Sequence, residues 1–486
     1  MDNLILLAAA GYIALLLLLS RFIGRHSRDN NAFYRGNRQS PWWAVAFGMI
    51  GASISGVTFV SVPGMVRSME MTYLQTCLGF VLGYIVVATV LLPIYYRLNL
   101  TSIYSYLQER FDGVTRRTGA AFFLLSKLAG ASIRLYLVCF ILQGVLLDRY
   151  GLPFPISVAV IILLIWLYTR QSGIRTIVWS DCLQTIVLLC ALVLIIRQIC
   201  LTLGLDIVGA YTTIRQSPLS KVFEIDDPSS RQYFWKQFLS GIFIPVVMTG
   251  LDQDMMQKNP TCRTLRQSQL NMTVNGVLYL PVNLLFLSLG VLLYHFCDVM
   301  HITAPLAGDA LLPTLCASGT LGPVALLLFV LGIIAAAFSS ADSAMTSLTT
   351  SFCVDIMQKP DDERLRRLVH PLVGIAIFIL IMIVQALNST SVIDAVYIVC
   401  GYTYGPLLGL FAFGLLTKRL PRKHWVPVIC ILSPLLCFVI DQVVTRYSSY
   451  RFGYELLMLN GLLTFVGLFL SSAKLSEDDT CGHRNV

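Results

Sequence analysis

Charge is scarce in this chain. Only 13% of its 486 residues are Asp, Glu, Lys or Arg, against roughly 25% in a soluble globular protein. So little charge cannot cover a water-facing surface, which excludes a set of soluble domains. Long polar stretches are missing too: no segment between apolar runs exceeds about 35 residues, so the chain reads as one membrane domain. The 13 cysteines include no CxxC or other metal spacing. Most of them, among them Cys139, Cys190, Cys400 and Cys437, lie in apolar segments, where Cys behaves as a small hydrophobe. Cys297 and Cys316 flank one loop and could pair in an oxidising compartment, although spacing alone does not establish the geometry. The six histidines (His26, His295, His301, His370, His424, His483) lie outside the apolar runs or near their ends. None stands at ligand spacing from Cys or an acid. A membrane-embedded enzyme, which needs a convergent acid–base or metal group, therefore has no candidate centre.

Apolar sequence is abundant: 56% of residues are hydrophobic and the mean hydropathy is +0.74. A membrane-crossing helix needs about 20 mostly apolar residues. Thirteen segments qualify: 3–22, 42–66, 73–96, 118–147, 153–169, 176–204, 237–256, 270–296, 321–352, 366–387, 392–416, 425–444 and 453–471. The expected fold is an all-α polytopic membrane protein of about 13 transmembrane helices. The first segment does not read as a signal peptide, because its N-terminal MDN lacks positive charge and the arginines follow the apolar stretch. Residues 472–486 read as a short polar tail.

Lys and Arg concentrate in alternate connections. Arg21, Arg25, Arg28, Arg35 and Arg38 follow the first span; Arg97, Arg110, Arg116 and Arg117 follow the third; Arg170 and Arg175 follow the fifth. Lys258, Arg263 and Arg266, then Lys359, Arg364, Arg366 and Arg367, then Lys418, Arg419, Arg422 and Lys423 continue the series, with Lys474 and Arg484 in the tail. The positive-inside rule places the N-terminus outside and the C-terminus in the cytoplasm. The net charge of +9 is thus a topology signal and implies no nucleic acid. Asn388, in a short outer loop, belongs to an Asn-x-Thr match of the kind that arises by chance.

Three spans are unusual. The second reads FGMIGASISGVTFVSVPG, in which Gly51, Ser53, Ser55, Gly56, Thr58, Pro63 and Gly64 interrupt an apolar helix. A broken helix leaves backbone groups that lipid cannot satisfy, so a break belongs where it lines a cavity or holds an ion. Small residues also let helices approach closely, and packing alone explains an isolated segment of this kind equally well. The seventh span, GIFIPVVMTGLDQDMMQ, carries Pro245 and Gly250 and ends in Asp252–Gln253–Asp254. Interruptions five spans apart point to an inverted-repeat transporter. The ninth carries a hydroxyl stripe at helical spacing (Ser339, Ser340, Ser343, Thr346, Ser347, Thr350) with Asp342 beside it. Hydroxyl and carbonyl oxygens suit a hard cation such as Na⁺. Hydroxyls bonding back to their own helix are the plainer alternative.

Buried charges are costly and mark function. Asp181 follows Trp179 near the start of span six, as either a functional acid or an interfacial carboxylate. Lys127 and Arg134 share a face of span four, with Arg134 too deep to snorkel. Its carboxylate partner comes either from a neighbouring helix or from a solute.

Five segments in order now resemble the sodium:solute symporter family: FYRGNRQSPWW, SGIRTIVWSDCLQ, LDQDMMQK, AAAFSSADSAMTS and GYTYGPLLGLF, spanning about Phe33 to Leu415. The resemblance implies two inverted five-helix repeats, 42–204 and 237–416, with one extra helix before (3–22) and two after (425–471). It implies one sodium held by backbone carbonyls of Gly51, Ile54 and Ala336 and the side chains of Ser339 and Ser340. A second sodium, as some members have, would use Asp181, Ser339, Asp342 and Ser343, with Asp342 standing where many members have Ser, Ala or Thr. The solute would bind at the break, lined by Ser53, Ser55, Thr58, Gln75 and Arg134. The implied activity is sodium-coupled symport of a small polar solute, with an anionic sugar such as sialic acid or another carboxylate favoured by Arg134. Implied partners are the solute, sodium ions and the lipid bilayer, with no obligate protein partner. The implied location is a cell membrane, of the bacterial inner-membrane kind. A proton-coupled carrier, a neutral-sugar symporter, a channel and a membrane sensor remain open readings of the residues.

Overall fold

The structure, a computed structural model, describes residues 2–24, 34, 40–170, 174–387, 392–448 and 450–474. Arg25, Arg28, Arg35, Arg38, Asn388 and Arg484, and the side chains of Arg175 and Lys474, lie outside this set. The helices are α1 (Asp2–Gly24), α2 (Trp42–Ser53), α3 (Gly56–Met69), α4 (Tyr73–Arg97), α5 (Gly113–Tyr150), α6 (Phe154–Thr169), α7 (Ile174–Thr202) and α8 (Phe234–Gly250). They continue with α9 (Gln253–Thr261), α10 (Leu265–Val299), α11 (Pro323–Ile356), α12 (Glu363–Leu387), α13 (Val392–Leu416), α14 (Trp425–Tyr447) and α15 (Leu456–Ser471).

Among the described residues, nine helices are long and apolar enough to cross a membrane. The pairs α2/α3 and α8/α9 each form one bent span, with bends of 58° and 68°. The shorter apolar helices α6 and α15 complete the set expected from sequence. The chain is a multi-pass membrane protein. Short helices in connections, such as Ser105–Arg110, Ile207–Gln216 and Leu311–Ala317, were not expected. Part of the expected tail is ordered by a two-residue bridge, in which β1 (Arg419–Leu420) pairs antiparallel with β2 (Ala473–Lys474).

Helices without water between them associate through small residues and polar contacts. Where α4 meets α8, a side chain at Gly79 or Gly83 would collide with the carbonyls of Phe238 or Ile242. Thr76 donates to Gln237 across the same seam. α13 and α15 are joined by the Asn460 amide, which donates to the carbonyls of Gly401 (3.0 Å) and Tyr402 (2.9 Å). α7 packs on both α2 and α11, which brings the first break beside the hydroxyl helix. Cys297 and Cys316 are both buried, free thiols.

Candidate functional site

The first break falls at Ile54 and Ser55, both extended (ψ 93° and 170°). The last backbone bond of α2 runs from the Ile54 amide to the Ile50 carbonyl (2.9 Å), and α3 opens with a bond from the Phe59 amide to the Ser55 carbonyl (3.2 Å). The carbonyls from Gly51 to Ile54 thus face the end of their ladder. Gly51 has a packing reason as well: a Cβ there would overlap the Thr185 hydroxyl on α7. The packing reading of the small residues thus holds at this position.

The hydroxyl stripe of α11 divides into two halves. Ser347 and Thr350 donate to their own helix, at the carbonyls of Ala344 (3.1 Å) and Thr346 (2.8 Å). Ser340, Ser343 and Thr346, all buried at the hydroxyl, have no hydrogen-bond partner among the described residues. Ser339 donates to Asp181 Oδ1 (2.7 Å). The unpartnered oxygens therefore belong to the half that contains the expected sodium ligands. A buried hydroxyl without a partner is costly, and a hard cation would satisfy it.

Asp181 is fully buried, which removes its interfacial reading; the reason is that α7 packs here on α2 and α11 rather than on lipid. Its Oδ2 accepts from Lys258 Nζ at 2.9 Å. Lys258, taken from sequence as a loop cation, is likewise buried, because the bent span continues through α9 to Thr261. Asp342 is held by the Tyr168 hydroxyl (2.6 Å) and the Ser343 amide (2.5 Å).

A central cavity lies between the two breaks. Ser53, Ser55, Thr58, Arg134, Asp252 and Asp254 contribute to its wall, with Phe80, Tyr84, Met248 and Tyr279 forming an apolar side. Of the residues expected to bind solute, Gln75 does not line it. The Gln75 amide donates to the Gln232 carbonyl (2.9 Å) and accepts from the Glu224 amide (3.0 Å), which ties the loop before α8 to the start of α4. The sequence contains no signal for that loop contact.

Lys127 and Arg134 part company. Lys127 Nζ lies 2.6 Å from Asp254 and 3.1 Å from Asp252, both buried, and the Tyr404 hydroxyl adds 2.7 Å to Asp252. Arg134 lines the cavity with no hydrogen bond or ion pair among the described residues, although its charge is felt by Asp254 on the same wall. Sequence reasoning missed Lys258, Asp252 and Asp254 as site residues. A signal existed: Asp254 and Lys258 stand four apart around the apolar Met255–Met256, which marks a charged turn that is also buried.

A bundle with two bent spans, unpartnered hydroxyls on a neighbouring helix, and a polar cavity lined from both bends has the form of a secondary transporter. The chain belongs to the sodium:solute symporter family, whose model matches residues 33–423. It is similar to the sodium/sialic acid symporter SiaT of Proteus mirabilis, 25% identical over 97% of this chain and 96% of that one. It is also similar to the sodium/sialic acid symporter NanT of Aliivibrio fischeri, 25% identical over 85% of this chain and 83% of that one. A solved structure of a Na⁺-coupled sialic acid symporter, in a substrate-bound outward-open state, covers 97% of this chain and 99% of its own with a TM-score of 0.82 at 22% identity. The protein is a sodium-coupled symporter and not an enzyme; sodium is its co-transported ion.

Proposed function

We propose that the solute carried with sodium is an anion bearing a carboxylate, of the sialic acid kind, bound in the central cavity through Arg134. One observation carries this reading: Arg134 lines the cavity without a hydrogen bond or ion pair among the described residues, whereas Lys127 on the same face is paired with two aspartates. An unpaired arginine at membrane depth is costly, and a carboxylate would meet it with two parallel hydrogen bonds. Ser53, Ser55 and Thr58 offer hydroxyls to the polar groups of the solute, and the apolar side takes its less polar face. The sialic acid relatives support this choice of anion.

Sodium in this reading sits between the first break and α11, on the carbonyls of Gly51, Ile54 and Ala336 and the hydroxyls of Ser339 and Ser340. The unpartnered Ser340 hydroxyl and the carbonyls at the end of α2 support the set. Repeat one (42–204) and repeat two (237–416) rock against each other to expose the cavity alternately. Sodium favours the solute-binding state, and the membrane potential adds about 2.3 kcal/mol per charge per 100 mV. A coupling of about 1–3 kcal/mol between the two ligands is enough for useful cooperativity.

The N-terminus lies outside and the C-terminus in the cytoplasm of a bacterial inner membrane. The clustering of basic connections supports this orientation. Arg110 donates to the Thr417 carbonyl (2.7 Å), and Arg116 pairs with Asp355 (2.9 Å), so the loops after α4, α11 and α13 share one end.

The test is thermal stabilisation of the purified protein by a panel of sialic acids, carboxylates and neutral sugars, with and without sodium. A ligand of the native state raises apparent stability by mass action. An acidic hit that needs sodium is the expected outcome; a neutral sugar as sole hit would remove the anion reading, and sodium-independence would favour a proton-coupled carrier.

A further inference from the structure

The carboxylates expected to hold a second sodium already have a donor on every oxygen. Both oxygens of Asp181 are engaged, Oδ2 by the Lys258 ammonium (2.9 Å) and Oδ1 by the Ser339 hydroxyl (2.7 Å). The Gln184 amide, oriented to suit its neighbours, donates to the same Oδ1 at 3.2 Å. Both oxygens of Asp342 have donors as well, from Tyr168 and Ser343. Of the four side chains in the set, only the Ser343 hydroxyl lacks a partner among the described residues.

We infer that Lys258 is a tethered cation that occupies the charge position of a second sodium, so that this protein binds one sodium ion. Three features carry the inference beyond the presence of an ion pair. The ammonium is almost fully enclosed, at 1% exposure. Its second carboxylate neighbour, Asp254 Oδ1 at 3.9 Å, has no hydrogen-bond partner among the described residues. Asp254 is in turn held by Lys127, so Lys258 links the aspartates of the cavity to the acid beside the hydroxyl helix. A sodium ion placed on Asp181 would stand against this ammonium at close range in a medium that screens poorly, and repulsion would exclude one of the two cations. Lysine suits the role because its ammonium is a compact point charge with three donors. Losing it would leave Asp181 as a buried carboxylate with a hydroxyl beside it and Ser343 unpartnered nearby, which is a hard-cation site.

This rests on the sodium-coupled reading above, and the experiment separates the two. Equilibrium binding of ²²Na⁺ to the purified protein in lipid nanodiscs counts ions per polypeptide without needing the solute. The expected count is one for the native protein, one for Lys258→Arg and two for Lys258→Met. A native count of two overturns the tethered-cation inference and leaves sodium coupling intact. A native count of zero removes the proposed sodium site and the inference with it. A folded Lys258→Met that still binds one ion overturns the inference alone; if that variant does not fold, the native count decides.

Discussion

At the first break the backbone turns by 58° between Ser53 and Gly56 without a charged residue; at the second it turns by 68°, with Asp252 and Asp254 at the turn. Both breaks interrupt a helix inside the bundle and must satisfy the groups set free. The second does so from within the protein. Asp252 caps the Asp254 amide (2.8 Å), takes the Tyr404 hydroxyl and shares Lys127 with Asp254. The first is followed by no such charged closure, and the Ser340 hydroxyl of α11 has no partner among the described residues. A break closed by its own charges is satisfied from within, whereas a neutral break keeps oxygens to spare, which is what the proposed sodium site requires.

The largest effect should come from the charged corner. Lys127→Met removes the nearest ammonium from two buried carboxylates, a broken buried pair that costs about 3–5 kcal/mol. The expected readout is a sharp fall in folded yield and thermal stability, with partial recovery in Lys127→Met combined with Asp254→Asn. A stable Lys127→Met would show that charge does not hold the second break.

Gly51→Ala tests the neutral corner's packing. The new Cβ overlaps the Thr185 hydroxyl, so a loss of about 1–3 kcal/mol is expected, relieved in part by Thr185→Ala. No change in melting temperature would mean that α2 and α7 can separate freely here.

Ser340→Ala should raise the half-saturating sodium concentration about tenfold, since one lost oxygen ligand is worth about 1–1.5 kcal/mol. Ser347→Ala, whose hydroxyl is spent on its own helix, should leave the sodium titration where it was. Equal effects from both would erase the division of the α11 stripe.

The smallest change belongs to Tyr84→Phe. Its hydroxyl meets Ser53 and Thr249 only at 3.4 and 3.5 Å, so less than about 0.5 kcal/mol is expected in solute binding. A larger loss would make Tyr84 a direct solute ligand.

Sequence reading located the spans and both bends because length, hydropathy and small-residue interruptions are local signals. The division of the hydroxyl stripe was not local. It depends on which of α7 and α12 faces each turn of α11, as the His370 contact with Thr349 (3.0 Å) illustrates. Gln75 looked like a solute ligand because of its proximity in the chain to the break, yet a loop more than 140 residues away uses it. The fates of Lys127 and Arg134, equal by periodicity, were decided by Asp252 and Asp254, on a helix 125 residues further along. Periodicity gives the face of a helix and not the neighbour it meets.

Arg134 is where the account is most exposed, and uptake tests it directly. Proteoliposomes containing the native protein or Arg134→Ala would be given an inward sodium gradient and the radiolabelled acid that stabilises the native protein most. Two charged hydrogen bonds, worth about 3 kcal/mol together, correspond to a fall of about 100-fold in apparent affinity for the acid, with sodium binding retained. Unchanged uptake by Arg134→Ala would contradict the account, because the unpaired guanidinium in the cavity would then have no part in holding the solute.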